Sequence, residues 1–132
     1  MYRTCTRHIE VKVTPRFLEE RSSSANNYYF WAYSIEIVNH GTETVQLMAR
    51  YWHITDAVGR SQEVRGPGVV GEQPVLRPGE SFQYTSGVPL PTPSGFMVGS
   101  YNMVTATGER FDVAIPAFSL DSPTIERERT IN

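Results

Sequence analysis

The sequence has only one cysteine, Cys5, and one lysine, Lys12, among its 132 residues. A single cysteine excludes an internal disulfide, and the polar residues around Cys5 supply no metal-binding or catalytic partner. Neither sign of charge is in large excess, since 12 basic and 14 acidic residues leave a net charge of −2. This balance provides no general electrostatic attraction, so we expect neither nucleic acid nor a membrane as a partner.

Long hydrophobic runs are also missing. No apolar stretch approaches the ~18 residues of a membrane span, and the amino terminus lacks the apolar segment of a secretory signal. We therefore expect a cytoplasmic protein. The hydrophobic fraction of 39% and charged fraction of 20% are nevertheless ordinary, so the composition predicts one folded domain.

Short β-branched and aromatic segments take the place of helical stripes. Apolar residues alternate with polar ones from Ile9 to Val13 and again from Tyr29 to Ile37, which is typical of half-buried strands. In the next such segment the alternation places Met48 on the face of Trp52 and Ile54. With further segments between Gly- and Pro-rich turns, the pattern predicts an all-β immunoglobulin-like or fibronectin type III-like sandwich of about seven strands.

Three regions are predicted along the chain. Residues 1–7 are expected to form a flexible amino terminus, residues 8–120 the sandwich domain, and residues 121–132 a charged flexible tail. Within the domain, the proline-rich segment Val88–Pro93 is predicted to be an extended connection that cannot form a central strand.

The sharpest local motif lies in residues 66–71 (GPGVVG), which match G-x-G-x-x-G. A dinucleotide-binding turn of this kind must be followed by a helix, and Gln73-Pro74 prevents one. The backbone N–H groups of a glycine-rich turn can instead converge on phosphate oxygens, although Pro67 removes one donor. The candidate anion-binding residues are Gly66, Gly68, Val69, Val70, Gly71 and the adjoining Arg65. Folding could also bring Arg50, Arg60 or Arg77 near the loop.

The charge around this motif leaves two interpretations open. Residues 59–80 contain three arginines and three glutamates, so the segment is neutral and provides no strong phosphate clamp. The glycines therefore either bind an anion or simply permit a tight loop between two strands.

Residues for catalysis or metal binding are not grouped in the sequence. His8, His40 and His53 lack the spacing of a local metal site, and the aspartates are isolated. No serine lies in a nucleophile elbow. We expect no catalytic residues, no metal site, no cofactor and no enzymatic activity.

Four longer strings resemble the ApaG family. They are Gln62–Pro74 (QEVRGPGVVGEQP), Pro78–Gly87 (PGESFQYTSG), Pro93–Tyr101 (PSGFMVGSY) and Phe111–Phe118 (FDVAIPAF). With shorter matches the resemblance extends from about Ile9 to Leu120.

The resemblance implies a fibronectin type III-like sandwich and, by analogy with its eukaryotic multidomain members, a protein-interaction module. It also implies a link to cobalt resistance and magnesium efflux, and a genetic neighbour that hydrolyses diadenosine tetraphosphate. The glycine motif is the family's proposed pyrophosphate or nucleotide contact, which falls here on Gly66, Gly68 and Gly71.

Two functions therefore remain open. The first is a non-catalytic domain that binds an unidentified protein partner, with a homodimer through edge strands included. The alternative is a sensor that binds a phosphate-containing small molecule, such as pyrophosphate or a nucleotide, through the glycine loop. Any connection to divalent cation (Co/Mg) efflux would then be indirect.

Overall fold

The computed structural model describes residues 1–123, and nearly all of them lie in strands or in the turns between them. The strands are β1 (Tyr2–Thr6), β2 (Ile9–Phe17), β3 (Tyr29–Asn39), β4 (Val45–Asp56), β5 (Ser61–Pro67), β6 (Val75–Leu76), β7 (Ser81–Leu90), β8 (Ser94–Thr105) and β9 (Arg110–Asp121). They form two antiparallel sheets, with strand orders β1-β2-β3-β7 and β5-β4-β8-β9, and β6 pairs with β4 beyond the end of β5. Two 3₁₀ turns, Glu19–Arg21 and Ser24–Asn26, connect β2 to β3.

The core lies between the two sheets and follows the alternation in the sequence. Every second residue from Ile9 to Val13 is buried, and the same holds from Trp31 to Ile37. β2 and β3 pair in antiparallel register, so these two rows lie side by side on one inner face. The other sheet contributes Trp52, Tyr101 and Phe118, among others. The predicted all-β sandwich is confirmed.

The number of strands is nine rather than about seven. One additional strand is β1, which pairs with β2 from Tyr2 to Thr6. The expectation of a flexible amino terminus over residues 1–7 is therefore wrong, because the backbone of this segment is held by a full antiparallel ladder. The other is the short β6, which lies in the segment expected to be a loop.

The proline-rich segment also differs from expectation. β7 continues through Val88 and Pro89 to Leu90, where it pairs with β3. β7 is an edge strand, and an edge tolerates a residue that lacks an N–H. Of the predicted charged tail, residues 124–132 lie outside the described residues.

A β-bulge interrupts the alternation in β4. The pairing with β8 shifts between Leu47 and Ala49, so Met48 is an additional residue. Leu47 is consequently buried on the inner face, as are Trp52 and Ile54 further along the strand, while Met48 is only half-buried. The prediction that Met48 shares the core-facing row was wrong, since a bulge reverses the faces of the residues that precede it.

The two sides of the sandwich are closed differently. On one side β1 lies against β9: the Thr4 hydroxyl donates to the Ala114 carbonyl at 2.8 Å, and the Ala114 N–H donates to the Thr6 hydroxyl at 3.2 Å. The Ser119 N–H donates to the Tyr2 hydroxyl at 3.4 Å. On the other side the edge strands are β7 and β5, and the glycine-rich segment that follows β5 lies between the sheets.

Candidate functional site

The glycine motif forms the end of β5 and a two-residue hairpin turn. The Val69 N–H donates to the Glu72 carbonyl at 2.8 Å, and the Glu72 N–H donates back to Val69 at 2.9 Å. The two central residues, Val70 and Gly71, have φ values of 44° and 81°, as a type I′ turn requires. No helix begins here, so the motif does not lead into the helix that a dinucleotide-binding turn requires.

The bulge in β4 anchors this loop. The Met48 carbonyl accepts the Gly68 N–H at 2.9 Å and the Gln73 side-chain amide at 3.0 Å. Gly68 has a φ of 60°, and a Cβ at this position would overlap the carbonyl oxygen of Glu72. The loop therefore requires glycine at position 68 for a structural reason that is independent of any ligand.

Arg50 of β4 holds the loop from below. Its guanidinium donates to the carbonyls of Pro67 and Gly68, both at 3.0 Å. The same group lies against Gly66, where a Cβ would approach the Arg50 Nη1 to 2.9 Å. A larger residue at position 66 would displace this arginine.

Only part of the predicted anion-binding backbone remains free. The N–H groups of Gly68 and Val69 donate to protein carbonyls. Within the described residues, the N–H groups of Val70 and Gly71 have no protein acceptor. The side chain of Val69 is fully buried, whereas that of Val70 is exposed.

Arg65 is not brought to the loop's inner side. Its side chain lies over the ring of Tyr51, with 4.5 Å between the guanidinium carbon and the ring centroid. It also forms an exposed ion pair with Glu63 at 3.1 Å. The arginine that the fold places beneath the glycine loop is Arg50.

A cavity of about 190 Å³ lies beneath the loop. Its walls come from both sheets and from the turn: Tyr33, Arg50, Trp52, Val69, Val70, Gly71, Tyr84 and Ser86. The tyrosines and Ser86 were missed by sequence reasoning, because strand alternation identifies them only as inward- or outward-facing residues and not as neighbours.

The tyrosine hydroxyls around this cavity belong to a buried polar group that links the two sheets. Tyr84 of β7 and Tyr101 of β8 share a hydrogen bond of 2.5 Å. Burial raises the pKa of both hydroxyls, and burial likewise raises the pKa of Tyr33, against the opposing effects of Ser86 and Arg50. All three hydroxyls therefore stay protonated near neutral pH, so each can donate a hydrogen bond.

Residues 1–123 contain neither a cluster of metal-binding side chains nor a membrane-spanning helix. No group of three or more His, Cys, Asp or Glu side chains there is placed to hold a metal ion. None of the helices in these residues has the length and apolar character needed to cross a bilayer.

Comparison with known proteins places this chain in a family. A model of the ApaG domain matches residues 19–105. The chain belongs to the ApaG domain family. Proteins named ApaG from Bradyrhizobium sp. (strain ORS 278) and Rhodospirillum centenum are 65% and 67% identical to it, over 96% and 93% of this chain and 98% and 95% of theirs. The resemblance inferred from the sequence is confirmed.

Two solved structures share this fold. A crystal structure of an ApaA protein from Bordetella pertussis has a TM-score of 0.85 and 50% identity, and the match covers 87% of this chain and 94% of that one. The C-terminal domain of Wzt, with a TM-score of 0.56 and 10% identity over 91% of this chain and 76% of that one, shares the fold alone. The names of these proteins state no ligand for the ApaG domain.

Proposed function

We propose that this ApaG domain is a non-catalytic binding domain that recognises a protein through the exposed outer edge of β5. The observation that carries the proposal is the direction of the β5 backbone groups. The Asp56 N–H donates to the Arg60 carbonyl, and the Gly68 N–H donates to Met48, each at 2.9 Å. These two bonds bracket β5 at either end.

The alternation of an antiparallel ladder then determines which groups face outward. In an antiparallel ladder every second residue forms a hydrogen-bonded pair with the facing strand. Arg60 and Gly68 form the two bonds just described, so Gln62, Val64 and Gly66 between them are the residues that bond to β4. The N–H and C=O groups of Ser61, Glu63 and Arg65 therefore point away from the sheet. An extended segment of another protein can add to such an edge as a new strand.

The exposed character of β5 supports this proposal. Five of its seven residues are exposed, and only Val64 and Gly66 are half-buried. On the opposite side of the sandwich, hydroxyl groups of β1 occupy backbone groups of β9. The outward backbone groups of β5 are therefore available to a binding partner. The corresponding groups of β9 at Ala114 are already bonded to hydroxyls of β1.

A photo-crosslinking experiment tests this proposal. The crosslinking residue p-benzoylphenylalanine is placed at Gln62 on β5 or, as the matched control, at the exposed Ser119 on β9. We expect a specific protein adduct in cells from position 62 and none from position 119. Equal yields from the two positions, or no adduct from either, would contradict binding at β5.

A second candidate function, binding of a phosphate group, is favoured by the cavity beneath the glycine loop. Arg50, Ser86 and the turn residues Val70 and Gly71 all line this cavity. Charge-assisted bonds from arginine, combined with free backbone N–H groups, suit a phosphate oxygen. The ligand would be pyrophosphate or a nucleotide, and any effect on divalent cation efflux would be indirect.

Titration calorimetry with pyrophosphate, ATP and diadenosine tetraphosphate tests this second candidate. Arg50→Gln should weaken binding by roughly tenfold or more, because a charged hydrogen bond is lost. Arg65→Gln, whose side chain lies over Tyr51 instead, is the matched control and should bind like the wild type. Thermal unfolding of both variants separates lost binding from a disturbed loop, and an absence of heat with the wild type would refute phosphate binding.

For both candidate functions we propose that the chain is located in the cytoplasm. The thiol of Cys5 is exposed and unpaired, which suits a reducing compartment. Fractionation of cells that produce the chain at its natural level would contradict this location if the protein were recovered outside the cytoplasm.

A further inference from the structure

We propose that the strand accepted by β5 is β5 of a second copy of this chain, paired antiparallel about a two-fold axis at Val64. This inference rests on the proposed function, since it names the partner of the same edge. The symmetry follows from the requirement that the two copies of a dimer use the same surface.

The charges on β5 are complementary to themselves in this register. A two-fold axis at Val64 places Glu63 of each copy directly opposite Arg65 of the other. Opposite charges in directly facing positions of an antiparallel pair are attractive. Within one chain the two side chains already form an exposed ion pair at 3.1 Å, so neither is committed to the core.

The backbone groups fit the same register. Glu63 and Arg65 are the residues whose N–H and C=O groups point outward, and in this arrangement they face each other across the two copies. Directly opposed residues of this kind exchange both of their hydrogen bonds. Val64, which bonds to β4, then faces Val64 of the second copy in a pair without hydrogen bonds.

Neighbouring registers are disfavoured by charge. An axis at position 63 would place Glu63 opposite a second Glu63, and an axis at position 65 would place Arg65 opposite a second Arg65. Like charges in facing positions are destabilising. The axis at Val64 is therefore selected by the sequence of the strand itself.

The loop that follows β5 leaves this edge open. After Pro67 the chain turns into the space between the sheets, and Val69 is fully buried there. Within residues 1–123, no strand pairs with the outer flank of β5, and five of its seven residues are exposed. The edge of the other sheet on this side, β7, contains Pro89, which removes a donor from that strand.

Charge reversal tests the pairing. The variants Arg65→Glu and Glu63→Arg each place like charges across the axis twice, so each should weaken self-association by on the order of tenfold or more. An equimolar mixture of the two should form a heterodimer, and the double variant should recover the wild-type dimer. Arg16→Glu on β2, an exposed position away from β5, is the control of equal charge change and should dimerise normally.

Analytical ultracentrifugation and native mass spectrometry of the full chain give the readout. A wild type that remains monomeric up to millimolar concentration would overturn self-pairing, as would a dimer that none of the β5 charge reversals weakens. A monomeric wild type that still forms an adduct with a different protein from position 62 would overturn this inference and retain the proposed function.

A disulfide supplies a second, independent test of the register. In a Cys5→Ser background, Val64→Cys places two thiols across the axis with about 4.5 Å between their Cα atoms, which is within the range that a disulfide bridges. Gln62→Cys is the control, since its two copies would lie roughly 14 Å apart along the strands. Oxidation should link the first variant and not the second; equal linking, or none, would overturn the register.

Discussion

The two sides of the sandwich close the space between the two sheets in different ways. On the β1–β9 side, hydroxyls of Tyr2, Thr4 and Thr6 bond to backbone groups of the facing strand. On the β5–β7 side, a loop inserts one valine between the sheets and leaves the β5 backbone free. Side-chain hydrogen bonds occupy the backbone N–H and C=O groups of an edge strand. A loop that fills the space between the sheets leaves those groups available. We therefore expect stability to depend strongly on the loop and binding to depend on the edge beside it.

The largest effect on this comparison is expected from Gly68→Ala. A methyl group at this position would overlap the Glu72 carbonyl, and φ is already positive, so we expect a loss of about 3 kcal/mol in the free energy of unfolding. Gly71→Ala is the matched control, because nothing lies within 4 Å of a Cβ there. Its positive φ alone should cost about 1 kcal/mol. Urea unfolding measures both, and equal losses would contradict the role given to the Glu72 contact.

Val69→Ala should have the next largest effect. The Val69 side chain is fully buried on the β5–β7 side. Its truncation should lower the free energy of unfolding by about 2 kcal/mol. Val70→Ala, on the adjacent exposed residue of the turn, is the control and should change stability little. If Val69→Ala were as mild as the control, the loop would not be closing the sandwich.

On the β1–β9 side, Thr4→Val should have a smaller effect on the free energy of unfolding. It removes the hydrogen bond to Ala114 and keeps the shape of the side chain, so we expect a loss of about 1 kcal/mol or less. Thr14→Val on the exposed face of β2 controls for the change of residue type. A loss in urea unfolding larger than that of Val69→Ala would reverse the comparison between the sides.

The smallest effect is expected for Asp56→Asn, at the turn that begins β5. Burial alone would raise the pKa of Asp56, but hydrogen bonds from the backbone N–H groups of Arg60 and Val58, together with the Arg60 guanidinium, outweigh it and lower the pKa. A lowered pKa in the folded state means that the ionised carboxylate stabilises the fold above the unfolded pKa of about 4. This stabilisation is lost as the pH falls through the folded-state pKa.

The test is the pH dependence of the free energy of unfolding between about pH 5 and pH 2. We expect a shallower decline for Asp56→Asn than for the wild type. Arg60→Gln retains the backbone donors to Asp56, so it should keep most of the wild-type decline. Identical slopes for the wild type and Asp56→Asn would show that this carboxylate does not contribute.

Much of the sandwich was predictable because strand alternation reports burial directly. The rows Ile9–Val13 and Trp31–Ile37 were placed correctly on an inner face. The same reasoning failed at Met48, where a bulge inserts a residue without any composition signal of its own. It also failed for residues 2–6, which form a strand although their sequence is mostly polar. Backbone pairing with β2 and hydroxyls facing β9 stabilise this strand.

The candidate site was predicted only in part. The glycine motif correctly marked a tight loop, since its backbone angles are a local property. Arg65 was selected because it adjoins the motif in sequence, and Arg50 was one of three further arginines that folding could bring near. The fold places Arg50 against the loop. Adjacent residues on a strand face opposite sides, so nearness in sequence did not predict nearness in space.

The sequence alone determined the period of the strands, the turn at Gly71, the family and the self-complementary charges of Glu63 and Arg65. These properties depend on neighbouring residues or on the string of residues itself. Only the tertiary structure decided which edge keeps free backbone groups, which arginine supports the loop, and which tyrosines meet across the core. Those outcomes depend on how distant strands pair and pack, and pairing is set by contacts among residues that are far apart along the chain.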